Sequence, residues 1–574
     1  MNMMNTLSIS MGNFQHIQAS ISRKLPSFAK FARSDVFWIV GKNFRRLLAS
    51  ISTKLSSFAR SATDYLGCCL EFILFYSNAF IIQLVYFILV SFLGFLALKV
   101  LNPRDDATSG PEDLDLFFTA VSSLTVSSMA TVEMEHLSSR QLCVLILLMA
   151  VGGEIFTSIL CLQFKKARLK RSEKEDSTKK SVEELVIMDI ESPPTSTNIN
   201  DKKDTKTSIS TVTWSEIQIA GRKDLKYSAL TMLGYVIAGY LTAGIISSCA
   251  IISLYLCLVP DARDVVKNKG IQIPLFSIFT AVSSFVNCGF TPVNENMAIF
   301  NKNSALLLLV VPQILAGNTL FPPFLRLSIW VLHKTSAREE FDFILRHPRA
   351  VGYKHLYTYV ESIYMLLTVF GFIAVQMVLF CSLEWNSQAL QGMSSYQKLA
   401  ASLFQTVNSR HAGESVVDIS TISPAISVLF VVMMYLPSYF SFLPVNGGEQ
   451  PALAEKEKSK TRIIWKNLIF SELAYLVIFI MLICMCERKA ISADPLNFNV
   501  FTIVFEVISG YGNVGFSYGY SCKRLLQPDS SCKDASYGFV GRWSDEGKVI
   551  MILVMFAGRL RRFNSERGKA WKFG

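Results

Sequence analysis

The sequence predicts an all-α integral membrane protein made of four membrane-span/pore-loop/membrane-span repeats, with eight spans, four re-entrant pore segments and pseudo-fourfold symmetry. Only 17% of the 574 residues are charged, whereas a soluble chain carries about 25%. Apolar runs such as 81–98 are long enough to cross a hydrocarbon core of about 30 Å. Between alternate long runs lies an apolar stretch of about half that length, which is typical of a re-entrant segment.

Eight long apolar runs are the predicted spans, and they cover residues 76–100, 138–163, 227–259, 303–331, 356–384, 421–445, 463–487 and 543–560. A half-length apolar segment follows the first, third, fifth and seventh of them. These segments cover residues 114–129, 273–290, 396–407 and 498–511. The order span, half-length segment, span therefore occurs four times.

These runs divide the chain into a basic cytoplasmic N-terminal tail (1–70), four repeats and a cytoplasmic linker (164–225) between the first two repeats. The repeats cover residues 71–163, 226–332, 333–446 and 447–574, and the last of them includes the C-terminal tail. Their pore loops cover residues 114–135, 273–294, 396–416 and 498–518. The linker is polar and poor in aromatic residues, which predicts disorder. The N-terminal tail either lies on an anionic membrane face as amphipathic segments or is a solvated basic tail.

The net charge of +12 is concentrated in particular places. Most Lys and Arg residues lie in the N-terminal tail, in the loops after the second, fourth and sixth spans, and at the C-terminus. Positive loops face the cytoplasm in multi-pass proteins. We therefore expect both termini in the cytoplasm and the pore loops on the opposite face. Because membrane orientation accounts for the charge, we expect the lipid bilayer and not a nucleic acid as partner.

The half-length segments share a sequence pattern. The string Phe-Thr-Ala-Val-Ser-Ser occurs at 118–123 and again at 279–284. In the register that this string sets, the four segments place at one position Ser128, Gly289, Gly413 and Gly515. A bulky residue precedes each position by ten residues, at Phe118, Phe279, Leu403 and Phe505. The pattern predicts four copies of one unit, a short helix followed by a turn at a small residue.

Such a unit can coordinate a cation. Non-helical backbone at membrane depth is tolerated where it is buried in protein or lines a cavity. A ring of its carbonyl oxygens can replace the water shell of an ion, and small residues let the backbone approach closely. We therefore expect a pore for a monovalent cation, with no structural metal. Its flanking backbone would come from Val126, Ser127, Asn287, Cys288, His411, Ala412, Asn513 and Val514.

These residues resemble those of the plant high-affinity potassium transporter (HKT) family, within the Trk/Ktr/HKT superfamily. The resemblance covers about residues 75–574, apart from the 165–225 loop. The motifs that carry it are TVSSMATVEME (125–135), AVSSFVNCGFTP (281–292), FQTVNSRHAGES (404–415), YGNVGFSYGYSC (511–522) and GRLRRF (558–563).

The resemblance implies that Ser128, Gly289, Gly413 and Gly515 form a selectivity filter. In the family, Ser at the first position goes with the sodium-selective subfamily 1, and Gly goes with K⁺ permeation or Na⁺–K⁺ cotransport. A Ser side chain would narrow one quadrant of the ring and add a hydroxyl. We therefore expect a Na⁺ transporter or channel. The alternative is a K⁺ or mixed Na⁺/K⁺ transporter, which could work as a symporter.

Arg559 is the most informative charge in the chain. The apolar run before it has only ten residues, so Arg559 should lie inside the hydrocarbon core and face a cavity or a partner. The resemblance implies a barrier to cation flow below the filter, paired with pore acids. Glu506 and Glu414 are the candidate partners. The alternative is that Arg559 extends to the inner interface as an anchor.

Other polar residues carry weaker expectations. Pro437 should break the sixth span, and the resemblance implies an intramembrane gate there. Arg561 and Arg562 are expected to be interface anchors. Glu133 and Glu135 form either an acidic vestibule that concentrates cations or a solvated rim.

Most of the 12 Cys residues lie in apolar segments without metal-ligand spacing. Cys522 and Cys532 lie in a polar loop on the predicted outer face, where a disulfide and two free thiols are both open to them. The motif HExxH is absent from the sequence, and we expect a transporter without a cofactor rather than an enzyme. The resemblance implies a homodimer in the plasma membrane, and an internal membrane is the alternative.

Overall fold

The computed structural model describes residues 79–104, 111–167, 214–437, 472–525 and 537–564, together with the single residues 169, 439 and 532. Its side chains are described from 225 onwards in the third segment and up to 561 in the last. Within these ranges every regular element is a helix, as predicted. The N-terminal tail (1–70) and most of the linker (164–225) lie outside the described residues.

Repeat 1 contains four helices. The apolar helix α1 (Ala79–Val100) precedes the short helix α2 (Asp113–Thr125). The predicted second span consists of α3 (Ser139–Gly152) and α4 (Glu154–Ala167), which are bent by 52°. Gly153 lies at the break in an extended conformation. The predicted span over 138–163 is thus a bent pair of helices, because two consecutive glycines interrupt the helix.

Repeat 2 begins with the long helix α5 (Trp214–Leu258) and the outer helix α6 (Pro260–Asn268). A bend of 97° leads from α6 into α7 (Ile273–Val286). The predicted fourth span is again two helices, α8 (Ser304–Gly317) and α9 (Phe321–Ser336), bent by 81°. Polar residues after α8 and two prolines in the first turn of α9 explain why 303–331 is not straight.

Repeat 3 contains α10 (Glu339–Arg346), α11 (Tyr359–Glu384), the short helix α12 (Ser395–Asn408) and α13 (Pro424–Tyr435). Pro437 follows α13 by two residues. The residue between them has extended backbone, so the helix ends where the sequence predicts a break.

Repeat 4 contains α14 (Glu472–Cys486), α15 (Arg488–Ala493), the short helix α16 (Val500–Gly512) and α17 (Asp545–Asn564). Unlike the spans that close the other repeats, α17 is unbroken over its described length. We call α2, α7, α12 and α16 the pore helices. Each has 13 or 14 residues, which is too short to cross a bilayer.

Three helices of the described chain are long and apolar enough to cross a membrane, and three bent pairs qualify if each pair counts as one span. These helices and the short pore helices agree with the predicted class of fold. The repeat boundaries themselves stay a prediction.

The packing of the pore helices closes a ring. The helix after each pore helix contacts the pore helix of the next repeat: α3 packs on α7, α8 on α12, and α13 on α16. The last helix, α17, packs back on the first pore helix, α2. Four units therefore surround one axis, and their pore loops meet at the centre.

Candidate functional site: the four pore loops

Three pore helices end in the same way. Their C-caps Val126, Asn287 and Asn513 have left-handed backbone, with φ of 52°, 60° and 48°. This conformation ends a helix and reverses the chain. Asn tolerates it well, whereas a β-branched residue such as Val is strained there. The third pore helix differs, because its C-cap Ser409 stays right-handed and the turn extends to Gly413.

The four aligned residues all have positive φ: 53° at Ser128, 89° at Gly289, 69° at Gly413 and 101° at Gly515. Glycine adopts such values without steric cost. Ser128 therefore has the backbone conformation of its three glycine counterparts despite carrying a side chain.

These four residues form a closed ring by close backbone approach. A Cβ added to Gly289 would overlap the carbonyl oxygen of Ala412, and one added to Gly413 would overlap that of Val514. A Cβ on Gly515 would lie 2.8 Å from the carbonyl oxygen of Ser127. Each glycine thus packs on the residue just before the aligned position of the next repeat. The ring therefore tolerates few side chains.

The Ser128 side chain lies between two of the glycines. Its Oγ is 3.0 Å from the position that a Cβ would take on Gly515, and 3.2 Å from that on Gly289. The first repeat thus adds a hydroxyl and a Cβ to a ring that elsewhere presents backbone alone.

Side chains of the pore helices hold the second and fourth loops by equivalent bonds. The Gly289 amide donates to Ser283 Oγ at 3.0 Å, and the Gly515 amide donates to Ser509 Oγ at 3.0 Å. The corresponding hydroxyl of repeat 1, Ser122 Oγ, has no hydrogen-bond partner among the described residues. The loops therefore have similar backbone shapes but differ in the side-chain hydrogen bonds that hold them.

The two asparagine C-caps tie their loops to the following helix. Asn287 Nδ2 donates to the carbonyl of Ile314 at 3.1 Å, and Asn513 Nδ2 donates to that of Met555 at 3.2 Å. Asn513 also donates to Ser127 Oγ at 2.8 Å, which joins the fourth loop to the first. Val126 has no side-chain amide with which to make these bonds.

The third loop is held by a different set of contacts. The Glu414 amide donates to Asn408 Oδ1 at 3.1 Å, and the Glu414 carboxylate accepts from Ser284 Oγ at 2.5 Å. His411 Nε2 is 3.4 Å from Thr319 Oγ1 in the break between α8 and α9. The remaining predicted flanking residues are fully buried beside the ring: Cys288, Ala412 and Val514.

Three glycines support the ends of the pore helices. Each lies in the helix that follows its pore helix and contacts a backbone carbonyl so closely that a Cβ would overlap the oxygen. The pairs are Gly152 on Leu124, Gly317 on Phe285, and Gly558 on Tyr511. These positions correspond between repeats, so the close approach is a repeated feature of the pore.

Arg559 is fully buried at the inner end of the pore loops. Its Nη2 donates to the carbonyl of Gly152, the last residue of α3. Its guanidinium carbon lies 5.9 Å from the centre of the Phe87 ring. Tyr86 donates to the neighbouring carbonyl of Val151 at 3.0 Å. The last carbonyls of a helix carry partial negative charge, so the end of α3 is a suitable partner for a cation.

The two predicted acid partners of Arg559 lie elsewhere. Glu506 accepts hydrogen bonds from Ser517 Oγ at 2.7 Å and from the Tyr518 amide at 2.9 Å. Glu414 accepts from Ser284, as described above. No ion pair joins Arg559 to either acid within the described part of the chain. The described contacts of the Glu506 carboxylate therefore lie within its own repeat, whereas the Glu414 carboxylate joins the third loop to the second pore helix.

The break after α13 contacts two arginines. Arg410 Nη2 donates to the carbonyl of Pro437 at 2.7 Å. The Arg561 guanidinium lies 5.4 Å from the ring centre of Tyr435 and 5.3 Å from that of Tyr511. Arg561 is half-buried against these two rings, and its role as an interface anchor stays a prediction. The side chain of Arg562 lies outside the described residues.

A cavity of about 490 Å³ lies on the side of the ring formed by the residues that follow the aligned positions, and it includes all four aligned residues in its wall. Its charged lining residues are of both signs: Glu295, Asp418, Lys523 and Arg524. A disulfide joins Cys522, beside the two basic residues, to Cys532. Of the two states left open by the sequence, the structure shows the oxidised one.

Two ion pairs lie at the rim of this cavity. Lys269 Nζ is 2.8 Å from Glu135 Oε1 and 2.5 Å from Glu295 Oε1. Although partial burial alone would lower the pKa of Lys269, its contacts with both carboxylates raise that pKa above the ordinary value. The Asn294 backbone amide donates to Glu135 Oε1, and the Asn294 side-chain amide donates to Glu133 Oε2. Glu135 is therefore paired rather than free to attract cations.

Sequence reasoning missed two groups of residues. Arg410 lies within the motif at 404–415, and nothing in the sequence shows that it reaches Pro437. The supporting glycines do leave a signal, since each follows an apolar stretch and an alanine or valine, at 150–152, 315–317 and 556–558. Aligning the closing spans as well as the pore loops would have revealed them.

The chain is similar to several known proteins. The family model "TrkH: Cation transport protein" matches residues 210–565. The rice protein "Cation transporter HKT1;1" is 54% identical over 493 residues, which are 86% of this chain and 88% of that protein. The Arabidopsis thaliana protein "Sodium transporter HKT1" is 45% identical over 83% of this chain and 91% of its own length. The crystal structure of the Vibrio parahaemolyticus potassium transporter TrkH aligns with a TM-score of 0.46 and 14% identity, over 85% of this chain and 83% of that one.

The fold and the ring of pore loops define a multi-pass membrane protein of the cation-transport class. The chain belongs to the TrkH family of cation transport proteins and, within it, to the plant HKT cation transporters of subfamily 1. The prediction that it is a transporter and not an enzyme is confirmed.

Proposed function

We propose that this protein passes Na⁺ selectively through a filter formed by Ser128, Gly289, Gly413 and Gly515. The observation that carries the proposal is the placement of the Ser128 hydroxyl between two glycines of a tightly closed ring. A Ser there leaves less room for a large ion and adds an oxygen ligand. Similarity to a relative named a sodium transporter, 45% identical, supports the same choice.

The second candidate is K⁺ or mixed Na⁺/K⁺ transport, symport-like in its coupling. Three of the four filter positions are glycine, and more distant relatives include the Candida albicans protein "Potassium transporter TRK1", 27% identical over 59% of this chain.

We place the proposed filter in the plasma membrane, with both termini in the cytoplasm, in a homodimer that needs no cofactor.

Two-electrode recording in oocytes tests the choice of ion. The wild type, Ser128→Gly and Ser128→Ala would be compared in Na⁺ and K⁺ baths. We expect the wild-type reversal potential to follow Na⁺ and that of Ser128→Gly to follow K⁺ as well. Ser128→Ala keeps the Cβ and removes the hydroxyl, so it separates narrowing from coordination. A wild-type reversal potential that followed K⁺ as steeply as Na⁺ would show that the sodium assignment is wrong.

A further inference from the structure

We propose that Glu414 is a positioning residue that fixes the spacing between the second and third filter loops through Ser284 and so helps to set which ion passes. The inference deepens the proposed function and rests on it, because it requires that Gly289 and Gly413 belong to the ion-selective ring. Glu414 is not a ligand of the ion in this proposal. It acts on the ring through the hydrogen bond that its carboxylate accepts.

The carboxylate of Glu414 links two repeats. Glu414 follows the aligned residue Gly413 directly in the sequence, and it is fully buried. Its Oε1 accepts a hydrogen bond from Ser284 Oγ at 2.5 Å, and Ser284 is also fully buried. A hydrogen bond to a charged acceptor is shorter and stronger than one between neutral groups. The two side chains thus connect the third loop directly to the pore helix α7 of repeat 2.

The Ser284 end of this link lies beside the support of Gly289. Ser283, the preceding residue on α7, accepts a hydrogen bond from the Gly289 amide through its Oγ at 3.0 Å. A Cβ added to Gly289 would overlap the carbonyl oxygen of Ala412, two residues before Glu414. The two loops therefore meet through a close backbone approach and through one side-chain hydrogen bond. A shorter side chain at 414 should change the spacing between them.

The backbone of the third loop is held separately, by its own pore helix. The Glu414 amide donates to Asn408 Oδ1 at 3.1 Å, and the Val416 amide donates to Gln405 Oε1 at 3.1 Å. Both acceptors belong to α12, and neither bond uses the carboxylate of Glu414. A substitution of this side chain should therefore leave the loop folded while it changes the contact with α7.

Repeat 1 offers a matched comparison. Ser123 occupies the position of Ser284 in the string that the two repeats share, but its Oγ donates to the carbonyl of Thr119 at 2.8 Å within its own helix. Both serines are fully buried, so burial alone does not produce a bond between repeats. The link needs a carboxylate just after the aligned position, and the other three repeats have apolar residues there: Met129, Phe290 and Phe516.

Loss of the link should favour the larger ion. A filter selects an ion by bringing backbone oxygens close enough to replace its water shell. Without the bond between Ser284 and Glu414 the second and third loops could separate, and the ring would then accept K⁺ more readily. The informative measurement is the permeability ratio of K⁺ to Na⁺, because the amount of folded protein at the surface changes the current but not this ratio.

The experiment measures reversal potentials of the full-length protein in oocytes, in Na⁺ and K⁺ baths. Ser284→Ala removes the donor, and Glu414→Asp keeps the charge on a shorter side chain. Glu414→Gln removes the charge but keeps the length and one acceptor oxygen. The double variant combines Ser284→Ala with Glu414→Asp. Ser123→Ala is the control, because it removes the equivalent hydroxyl from a bond within one helix.

Ser284→Ala and Glu414→Asp should each raise the permeability ratio of K⁺ to Na⁺ at least about threefold, since a buried bond to a charged group is lost. Glu414→Gln should raise it less, and Ser123→Ala should leave it at the wild-type value. The double variant should match the larger of the two single effects, because both substitutions remove the same interaction.

A wild-type ratio in both Ser284→Ala and Glu414→Asp would overturn the proposal. A larger shift in Glu414→Gln than in Ser284→Ala would also overturn it, because the charge and not the link would then matter, as would additive shifts in the double variant. If Glu414→Asp carries no current, Ser284→Ala compared with Ser123→Ala decides. A wild type that conducts K⁺ as readily as Na⁺ would reject the sodium proposal alone, because the link is still read from the change of the ratio between wild type and variants.

Discussion

Arg559 donates a hydrogen bond to the carbonyl of Gly152, although 407 residues separate them in the chain. The cation is supplied by the last helix, and the acceptor is the end of the broken second span. A helix end disperses its negative charge over several carbonyls. The described hydrogen bond of Arg559 is thus to a backbone carbonyl, and we propose that its positive charge repels a cation in the pore.

Arg559→Gln should increase inward current and weaken rectification. Two like unit charges about 10 Å apart, at an effective dielectric constant of about 20, repel each other enough to slow passage on the order of tenfold. Oocyte recordings normalised to surface protein would measure the change. Arg542→Gln is the control, because Arg542 also stacks on aromatic rings but lies in the outer loop beside Tyr520. Equal currents in wild type and Arg559→Gln would remove the barrier role.

Alanine at Gly152, Gly317 or Gly558 should destabilise the protein by about 1–3 kcal/mol, since a methyl group there overlaps a backbone carbonyl. Thermal unfolding of detergent-solubilised protein would report the loss. Gly239→Ala and Gly371→Ala are matched controls, because both glycines are helical and have nothing within 4 Å of an added Cβ. Similar melting temperatures in both groups would contradict the close-approach argument.

Val126→Asn should stabilise the protein by about 1 kcal/mol. Val126 is β-branched and has left-handed backbone, whereas Asn adopts that conformation readily and occupies the same position in repeats 2 and 4. The same thermal assay would detect an increase. Val126→Gly relieves the backbone without adding an amide, so it separates strain relief from new hydrogen bonds. A lower melting temperature for both variants would show that Val126 is not strained.

Lys269→Gln should raise inward current at low ionic strength, because it leaves Glu135 and Glu295 unpaired at the rim of the outer cavity. The increase should fade as salt is added, since exposed charges are screened within about 8–10 Å at physiological ionic strength. Lys302→Gln provides an exposed control on the same face. An increase that persisted at high salt would point to a change of structure instead.

The sequence predicted the fold class and the aligned positions because both depend on local composition and on a repeated string. Ser128 and Gly289 could be aligned from six identical residues before them. The breaks at Gly153 and after Gly317 were missed because hydropathy stays high through them. Consecutive glycines at 152–153 and two prolines at the start of α9 interrupt these spans, and Gly152 and Gly317 also allow close packing on the pore helices.

Partners across the pore were the least predictable part. The sequence predicted that Arg559 binds Glu506 or Glu414, since all three residues lie near the pore and their charges are opposite. Glu506 instead accepts from Ser517 and the Tyr518 amide of its own repeat, and Glu414 accepts from Ser284 of the second pore helix. A repeat alignment gives the position of a residue along the axis, but it does not give the direction of its side chain.

The closure of the ring also sets an order for biogenesis. Asn513 binds Ser127 across 386 residues, and Arg559 binds Gly152 across 407. At a synthesis rate of about 5–20 residues per second, the first pore loop waits roughly 20–80 s for these partners. During that interval its polar turn has only a partial set of contacts in the membrane. The ring of pore loops therefore gains its last contacts only when the last helix has been inserted.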